Sequence, residues 1–392
     1  MRVGINKGAM SALAAGHLGT DFANGALPAL LPFLKDRFSL SYTLAAVLML
    51  ASTASSSLVQ PLFGLWSDRR GAIWLLPTGV AVAGVGIGLA AAMPSYWLVA
   101  LLVVVSGLGV AAYHPEGSKY AAYTSGEKRA SGMSAFSIGG NIGYALGPIV
   151  ATPLVLALGL GGGVLLAVPG LAIAAALLAL TPFLRTFEPE RGKPLQGAGE
   201  NRPGALVLLL GVIGFRSLAW FGLITFVPLW EVSLGHSTAH GNHLLSLMLL
   251  AGGIGTIAAG PLADRIGRRP VLIASLAIAA PLTFVFVAVG GIVGAFALCG
   301  VGICVIGTFG VTMVMSQEYL PRQLGMASGL SIGLSIGLGG IAVVALGALA
   351  DSVDLQAALY VCAAAPIAGL LLTLFLPPTR VRRELEPEVA VP

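Results

Sequence analysis

The amino-acid sequence predicts an all-α membrane protein with twelve transmembrane helices in two pseudo-symmetric six-helix bundles. Three observations carry the prediction. Hydrophobic residues make up 57% of the 392-residue chain and charged ones only 9%, whereas a soluble domain carries roughly 25% charged residues. That is too little charge to clothe a soluble surface. Apolar runs long enough to cross a bilayer recur along the whole length; at roughly 20 residues per span, twelve spans use about 240 residues and leave only short loops. The third observation is a duplication. Gly64, Asp68, Arg69 and Gly71 recur at the same spacing as Gly260, Asp264, Arg265 and Gly267, an offset of 196. Ser137-Ile138-Gly139 with Ile142-Gly143 recurs as Ser331-Ile332-Gly333 with Ile336-Gly337, an offset of 194. Two independent matches at nearly one offset indicate parallel repeats of six spans.

Taken in order, apolar runs between polar breaks place the first six spans at 9–34, 42–66, 72–93, 96–118, 130–157 and 162–184, an N-terminal bundle over 1–184. The first run is long and contains Asp21, unlike the compact core of a cleaved signal peptide, so it is read as a retained span. Residues 185–203 are the longest polar, Pro/Gly-rich segment and are expected to link the two bundles. Spans at 205–231, 243–263, 270–290, 292–317, 323–350 and 356–376 then form a C-terminal bundle over 204–392. Of the 21 Lys and Arg residues, 18 fall in the segments that share a side with the N-terminus; Lys35 and Arg37 lie opposite, and Arg216 is inside a span. The positive-inside rule therefore places both termini in the cytoplasm. This distribution, and not the formal net charge of +5, is what the basic residues report, so no nucleic-acid partner is implied. The 54 glycines suit close helix packing in lipid. Cys299, Cys304 and Cys362 lie in apolar runs and read as small buried hydrophobes, with no disulfide implied.

The Gly-x-x-x-Asp-Arg-x-Gly pattern sits at the turn after the second span and again after the eighth, where Arg268 and Arg269 follow. Here the whole chain resembles the major facilitator superfamily, whose signature loop has this spacing. The resemblance implies the major facilitator fold, alternating access, and a transporter rather than an enzyme. Physically, Gly64 and Gly260 let two helices approach, and Asp68 or Asp264 at a helix end can pair with an Arg or a helix N-terminus of the other bundle. With Arg69, Arg265, Arg268 and Arg269 they are expected to latch the cytoplasmic face; the plainer reading is positive-inside charges at a turn. In the fifth span Gly139, Gly143 and Gly147 form a smooth packing face closed by the helix-bending Pro148. This is similar to part of the Gly-Pro motif of the superfamily's antiporters.

More specifically, the chain resembles the fosmidomycin-resistance family of drug exporters. The resemblance rests on His17-x-x-x-Asp21, His114-Pro115-Glu116, Gly139-Gly140-Asn141, and Arg216-Ser217 followed by Thr225-Phe226-Val227-Pro228-Leu229. It places the chain in a bacterial inner (plasma) membrane. The fourth span lacks the Arg that many of the superfamily's exporters carry there, so any coupling must use other groups.

Ionisable residues at depth are confined to four spans: His17 and Asp21 in the first, His114 and Glu116 in the fourth, Arg216 in the seventh and Glu318 in the tenth. A charge facing lipid at mid-bilayer costs at least about 2.5 to 3.5 kcal/mol, so these groups should face water, a partner or a substrate. His17 and Asp21 are four apart on one helix face and can exchange a proton. Asp21, His17, Glu116 and Arg216 are therefore expected to serve proton coupling, with Arg216 held by Asp21 or Glu116. His114, Asn141, Trp220 and Glu318 are expected to line the substrate cavity. The competing readings are a structural ion pair for Asp21 and Arg216, solvated helix ends for Glu116 and Glu318, and an interfacial belt for Trp220 and Trp230. His236, His240 and His243 fall in the outward loop after the seventh span. His240 and His243 have metal-binding spacing, a solvated loop is the simpler reading, and no metal or cofactor is expected.

The function implied is proton-coupled efflux of small drug-like or metabolite molecules of the fosmidomycin type by a monomeric chain. Its partners would be the substrate, protons and the lipid bilayer. The competing reading is a proton-coupled importer of a sugar or small organic anion. The sequence contains neither a Gly-x-x-x-x-Gly-Lys-Ser/Thr loop for ATP nor a His-Glu-x-x-His metal motif.

Overall fold

A computed structural model describes residues 4–126, 129–188, 200–322 and 324–378. Most of the expected linker over 185–203 lies outside these residues, as do the side chains of Asp68 and Arg69. Among the described residues there is no strand. The N-terminal bundle consists of α1 (Lys7–Phe38), α2 (Tyr42–Arg70), α3 (Leu75–Ala92), α4 (Tyr96–Thr124), α5 (Arg129–Leu158) and α6 (Ala167–Arg185). The C-terminal bundle consists of α7 (Pro203–Ser233), α8 (Thr238–Ile266), α9 (Arg268–Val289), α10 (Gly291–Gly307), α11 (Phe309–Tyr319), α12 (Leu324–Ser352) and α13 (Leu355–Thr373).

Helix starts follow side-chain chemistry. Asn6, Ser41, Ser95, Ser237 and Asp354 each accept a hydrogen bond from a first-turn N–H of the helix that follows, satisfying a donor that has no intrahelical partner. Two departures from the expected spans are local. The sixth span begins with a 3-10 stretch, Leu160–Leu166, set up by Gly159 at φ +67°. The tenth is broken at Thr308 into α10 and α11, where the Thr308 hydroxyl bonds the Cys304 carbonyl at 3.1 Å. Such back-bonding competes with the helical ladder.

Eleven segments among the described residues are long and apolar enough to cross a membrane. The first helix is more polar, carrying His17, Thr20, Asp21 and Asn24, because its neighbours are helices and not lipid: it packs on α5, α4, α3 and α6 and reaches α7 of the other bundle. Glycines of α5 make that packing close. A Cβ at Gly139 would fall 2.1 Å from the Ala14 carbonyl oxygen, one at Gly143 2.1 Å from that of Leu18, and one at Gly147 2.3 Å from the Gly25 carbonyl carbon. The glycine face expected in the fifth span is thus the seam with α1, and the helix runs on through Pro148 to Leu158. Freed backbone groups near a proline are tolerated where neighbouring helices supply the surroundings.

The bundles meet through α2 with α12, α5 with α8, and α1 with α7. The end of the molecule that carries the turns after α2 and α8 is the loop face; the opposite end is the far face. The described hydrogen bonds between bundles lie toward the far face. Asn242 at the start of α8 donates to the Ala29 carbonyl at 3.0 Å and to Thr152 Oγ1 at 2.8 Å. Asp351 at the end of α12 accepts from the Tyr42 and Thr43 backbone N–H groups at 2.7 and 2.9 Å and from the Thr43 hydroxyl at 2.6 Å.

Candidate functional site

Deep in the N-terminal bundle, α1, α4 and α5 bring one carboxylate and two imidazoles together. Asp21 Oδ2 lies 3.2 Å from His17 Nε2, and Oδ1 lies 3.4 Å from His114 Nε2. Asn24, one turn along α1, donates to Oδ1 at 3.1 Å. Each ring is fixed from its other nitrogen: His17 Nδ1 is 2.9 Å from the Phe136 carbonyl and His114 Nδ1 is 3.0 Å from that of Val110. A carbonyl oxygen only accepts, so both Nδ1 atoms must carry hydrogen. In the neutral rings both Nε2 atoms then present lone pairs to a carboxylate. The arrangement is electrostatically incomplete without a positive charge among these three atoms.

The surroundings hold that geometry. His17 stacks on Phe136 with centroids 4.2 Å apart and meets His114 edge to face at 5.0 Å. Tyr113, fully buried, donates to the Leu13 carbonyl at 2.5 Å and braces α4 against α1. The close α1–α5 seam brings the Phe136 carbonyl within reach of His17. Gly140 faces the pair directly: a Cβ there would lie 2.5 Å from His17 Nε2 and 2.6 Å from Asp21 Oδ2.

The other expected site residues are dispersed. Glu116 is 1% exposed and pairs with Lys119 at 2.8 Å; Ser67, in the last turn of α2, hydrogen-bonds both. Glu116 therefore ties α4 to the end of α2 instead of joining Asp21. Arg216 is 3% exposed, its Nη1 has no hydrogen-bond partner, and its guanidinium lies 5.4 Å from the centre of the Phe309 ring. Among the described residues it makes no ion pair, so the expected partnership with Asp21 or Glu116 is not made in this conformation; those carboxylates are occupied by histidines and by Lys119.

Trp220 on α7 reaches Tyr144 on α5, centroids 6.2 Å apart, so these rings bridge the bundles at depth. Asn141 lines a shallow groove between α5 and α8 with Ile138, Ile142 and Ile254. Glu318 lies toward the loop face, 3.1 Å from Arg268, away from the Asp21 cluster.

At the loop face Gly64 lies against Pro115 of α4, while Gly260 faces open space. Asp264, 75% exposed, is 3.6 Å from Arg268 of its own bundle. Arg269 donates to the Thr373 and Leu374 carbonyls, closing the end of α13, and Arg265 is exposed. An Asp on a helix N-terminus of the opposite bundle, the charged chemistry expected of a latch, occurs at the far face through Asp351, while the Asp68 side chain lies outside the described residues. Of the loop histidines, His236 and His240 lie 2.6 and 3.5 Å from Glu231 Oε2, so the metal spacing of His240 with His243 is replaced by a different pair.

Several participants went unread in the sequence. Lys119 was legible only as a loop charge, Ser67 and Asn24 as ordinary polar residues. Asn242 and Asp351 carried a usable signal, a polar side chain at the end of an apolar run.

Two helical bundles in parallel repeat, with ionisable side chains buried inside their spans, define a multi-pass membrane transporter. The chain belongs to the Major Facilitator Superfamily, whose sequence model matches residues 13–330 and 209–391. It is 32% identical over 382 residues to the uncharacterized MFS-type transporter YfnC of Bacillus subtilis, covering 94% of this chain and 92% of that one. It is 30% identical over 385 residues to the fosmidomycin resistance protein of Escherichia coli, covering 95% and 93%. Among solved structures, the bacterial homologue of the human lysosomal transporter Spinster, inward-facing and occupied, has a TM-score of 0.71 at 17% identity, covering 94% and 93% of the chains. A variant of the nucleoside transporter NupG has a TM-score of 0.74 at 13% identity, covering 94% and 99%. These structures share the fold.

Proposed function

We propose that the chain is a proton-coupled exporter of small drug-like or metabolite molecules, of the kind named for its Escherichia coli relative, working by alternating access across the bacterial inner membrane. The observation that carries this reading is the Asp21 cluster, whose two Nε2 atoms and carboxylate call for a positive charge. One proton on either imidazole satisfies it, donated through Nε2 to the aspartate. Positive-inside orientation makes the loop face cytoplasmic, and the bonds at Asn242 and Asp351 then close the outer side, the inward-facing state. In this state the cluster releases its proton to the cytoplasm and substrate binds. After the switch, the proton enters from outside as substrate leaves. Arg216, a buried cation without a carboxylate, is the group that would take an anionic part of the substrate by charge-assisted hydrogen bonds. Glu116, held by Lys119 and Ser67, is assigned to the frame and not to proton transfer.

The test compares two activities in proteoliposomes, wild type against Asp21→Asn. Transport driven by a pH gradient is expected to vanish in the variant while gradient-free exchange of substrate persists. Full gradient-driven transport in Asp21→Asn would overturn the coupling role. The importer of a small organic anion is the second reading, favoured by the same unpaired Arg216. Substrate movement with the proton gradient, and not against it, in vesicles of known orientation would select it.

A further inference from the structure

We propose that Asp21, His17 and His114 also bind one divalent transition-metal ion of the zinc class, in competition with the proton. This rests on reading the cluster as a cation site, though not on protons being transported through it. Three ligating atoms, one from each residue, lie within 4.8 Å of one another. Two ligands held 2.0–2.1 Å from a tetrahedral zinc ion stand about 3.3 Å apart; His17 Nε2 is 3.2 Å from Asp21 Oδ2 and His114 Nε2 is 3.4 Å from the other carboxylate oxygen, Oδ1, so each imidazole stands at that separation from one of the two oxygens. The rings need no reorientation, because both Nδ1–H groups are already spent on backbone carbonyls, the arrangement that fixes a histidine's tautomer and aims its second nitrogen at a metal. Gly140 lets the α5 backbone come close to the ligand atoms without a side chain over them, since a Cβ there would collide with those of both His17 and Asp21. The side chains of His114 and Asp21 keep 21% and 16% exposure, so an ion has an approach and a free coordination position.

A second group, Glu231, His236 and His240, also converges, and the same arithmetic sets it apart. His236 Nδ1 is 2.6 Å from Glu231 Oε2, a hydrogen-bond distance too short for both atoms to ligate one ion. Its two histidine side chains are 49% and 50% exposed, and no described bond holds either ring by its second nitrogen.

The full chain, purified through a histidine-free tag, would be titrated with Zn²⁺ against a fluorescent chelator, and with Co²⁺ while its visible absorption is followed. One ion per chain is expected, with the strong absorption of a tetrahedral cobalt site. Binding should weaken about tenfold or more in His17→Gln and in His114→Gln, fall as pH is lowered, and stay unchanged in His236→Ala and His240→Ala. Glutamine retains bulk, and monodisperse elution shows that each variant is folded. Absence of stoichiometric binding, or binding that survives the His17→Gln/His114→Gln double variant, overturns the proposal. Gradient-driven transport, measured in chelator-treated buffer, separates the two readings. A gradient-insensitive chain that binds one ion at the cluster removes the proton reading alone, and a proton-coupled chain that binds none removes the metal site alone.

Discussion

Glu116 and Arg216 are both buried ions, and the difference between them shows how a buried charge is tolerated. The Glu116 carboxylate has Lys119 at 2.8 Å and the Ser67 hydroxyl beside it. Breaking a buried pair by removing one partner leaves an uncompensated charge and costs about 3–5 kcal/mol. Lys119→Ala should therefore lower the thermal midpoint of the purified chain markedly, and adding Glu116→Gln should recover most of the loss. A Lys119→Ala chain as stable as wild type would remove the ion pair from the frame. Among the described residues Arg216 makes no ion pair and lies by the Phe309 ring, a cation–π contact worth about 0.5–2 kcal/mol. That is small compensation for a guanidinium, which fits a group kept for a ligand. Sequence reasoning located Glu116 and Arg216, because a charge inside an apolar run is conspicuous, but read Lys119 only as a loop charge. It paired Arg216 with Asp21 or Glu116, a pairing absent from this conformation, because partnership depends on helix rotation: Asp21 of α1 meets the face of α4 that carries His114, while Glu116, two residues further along α4, points to α2.

At the scale of single helices, the α1–α5 seam links packing to the cluster. The glycine spacing in the fifth span was legible as a packing face, but the two repeats use their glycines differently. Gly143 lies against the α1 backbone, whereas its repeat counterpart Gly337 on α12 faces open space. A repeat read from sequence transfers the residue and not its environment. Gly143→Leu should thus push α1 and α5 apart, break the His17–Phe136 bond and abolish transport, while Gly337→Leu should leave folding intact; overpacking of a tight contact costs about 1–3 kcal/mol. Thermal melts of the two variants check this, and equal destabilisation would argue against the seam. Gly140→Ala is a gentler probe of the same seam. Its methyl reaches the His17 and Asp21 side chains themselves, so transport should fall with little change in melting. The break at Thr308 was not legible, since Gly307-Thr308 lies inside an unbroken apolar run; at the break the Thr308 and Ser275 hydroxyls both bond the Cys304 carbonyl.

For the whole molecule, the balance between conformations depends on what holds each face. The two-bundle fold, twelve-span reading and duplication were legible because bilayer thickness and hydropathy act on every residue of the chain. The state was not, because it is set by a few hydrogen bonds between distant positions. Asp351 caps the N-terminus of α2 from the other bundle, and Asn242 bridges α8 to α1 and α5. A hydrogen bond to a charged group contributes about 1.5–3 kcal/mol and a neutral one about 0.5–1.5. Every 1.4 kcal/mol shifts a two-state equilibrium about tenfold. Asp351→Ala should therefore move the population toward a state open at the far face by about tenfold or more, and Asn242→Ala by less. The effects should approach additivity, because the two contacts share no partner. Spin labels placed in pairs across the far face, in a background lacking Cys299, Cys304 and Cys362, report the result as a longer-distance component that grows in each variant. Distance distributions unchanged in the double variant would show that these bonds do not hold the far face closed and that the bundles are kept together by the apolar contacts of α2 with α12 and α5 with α8.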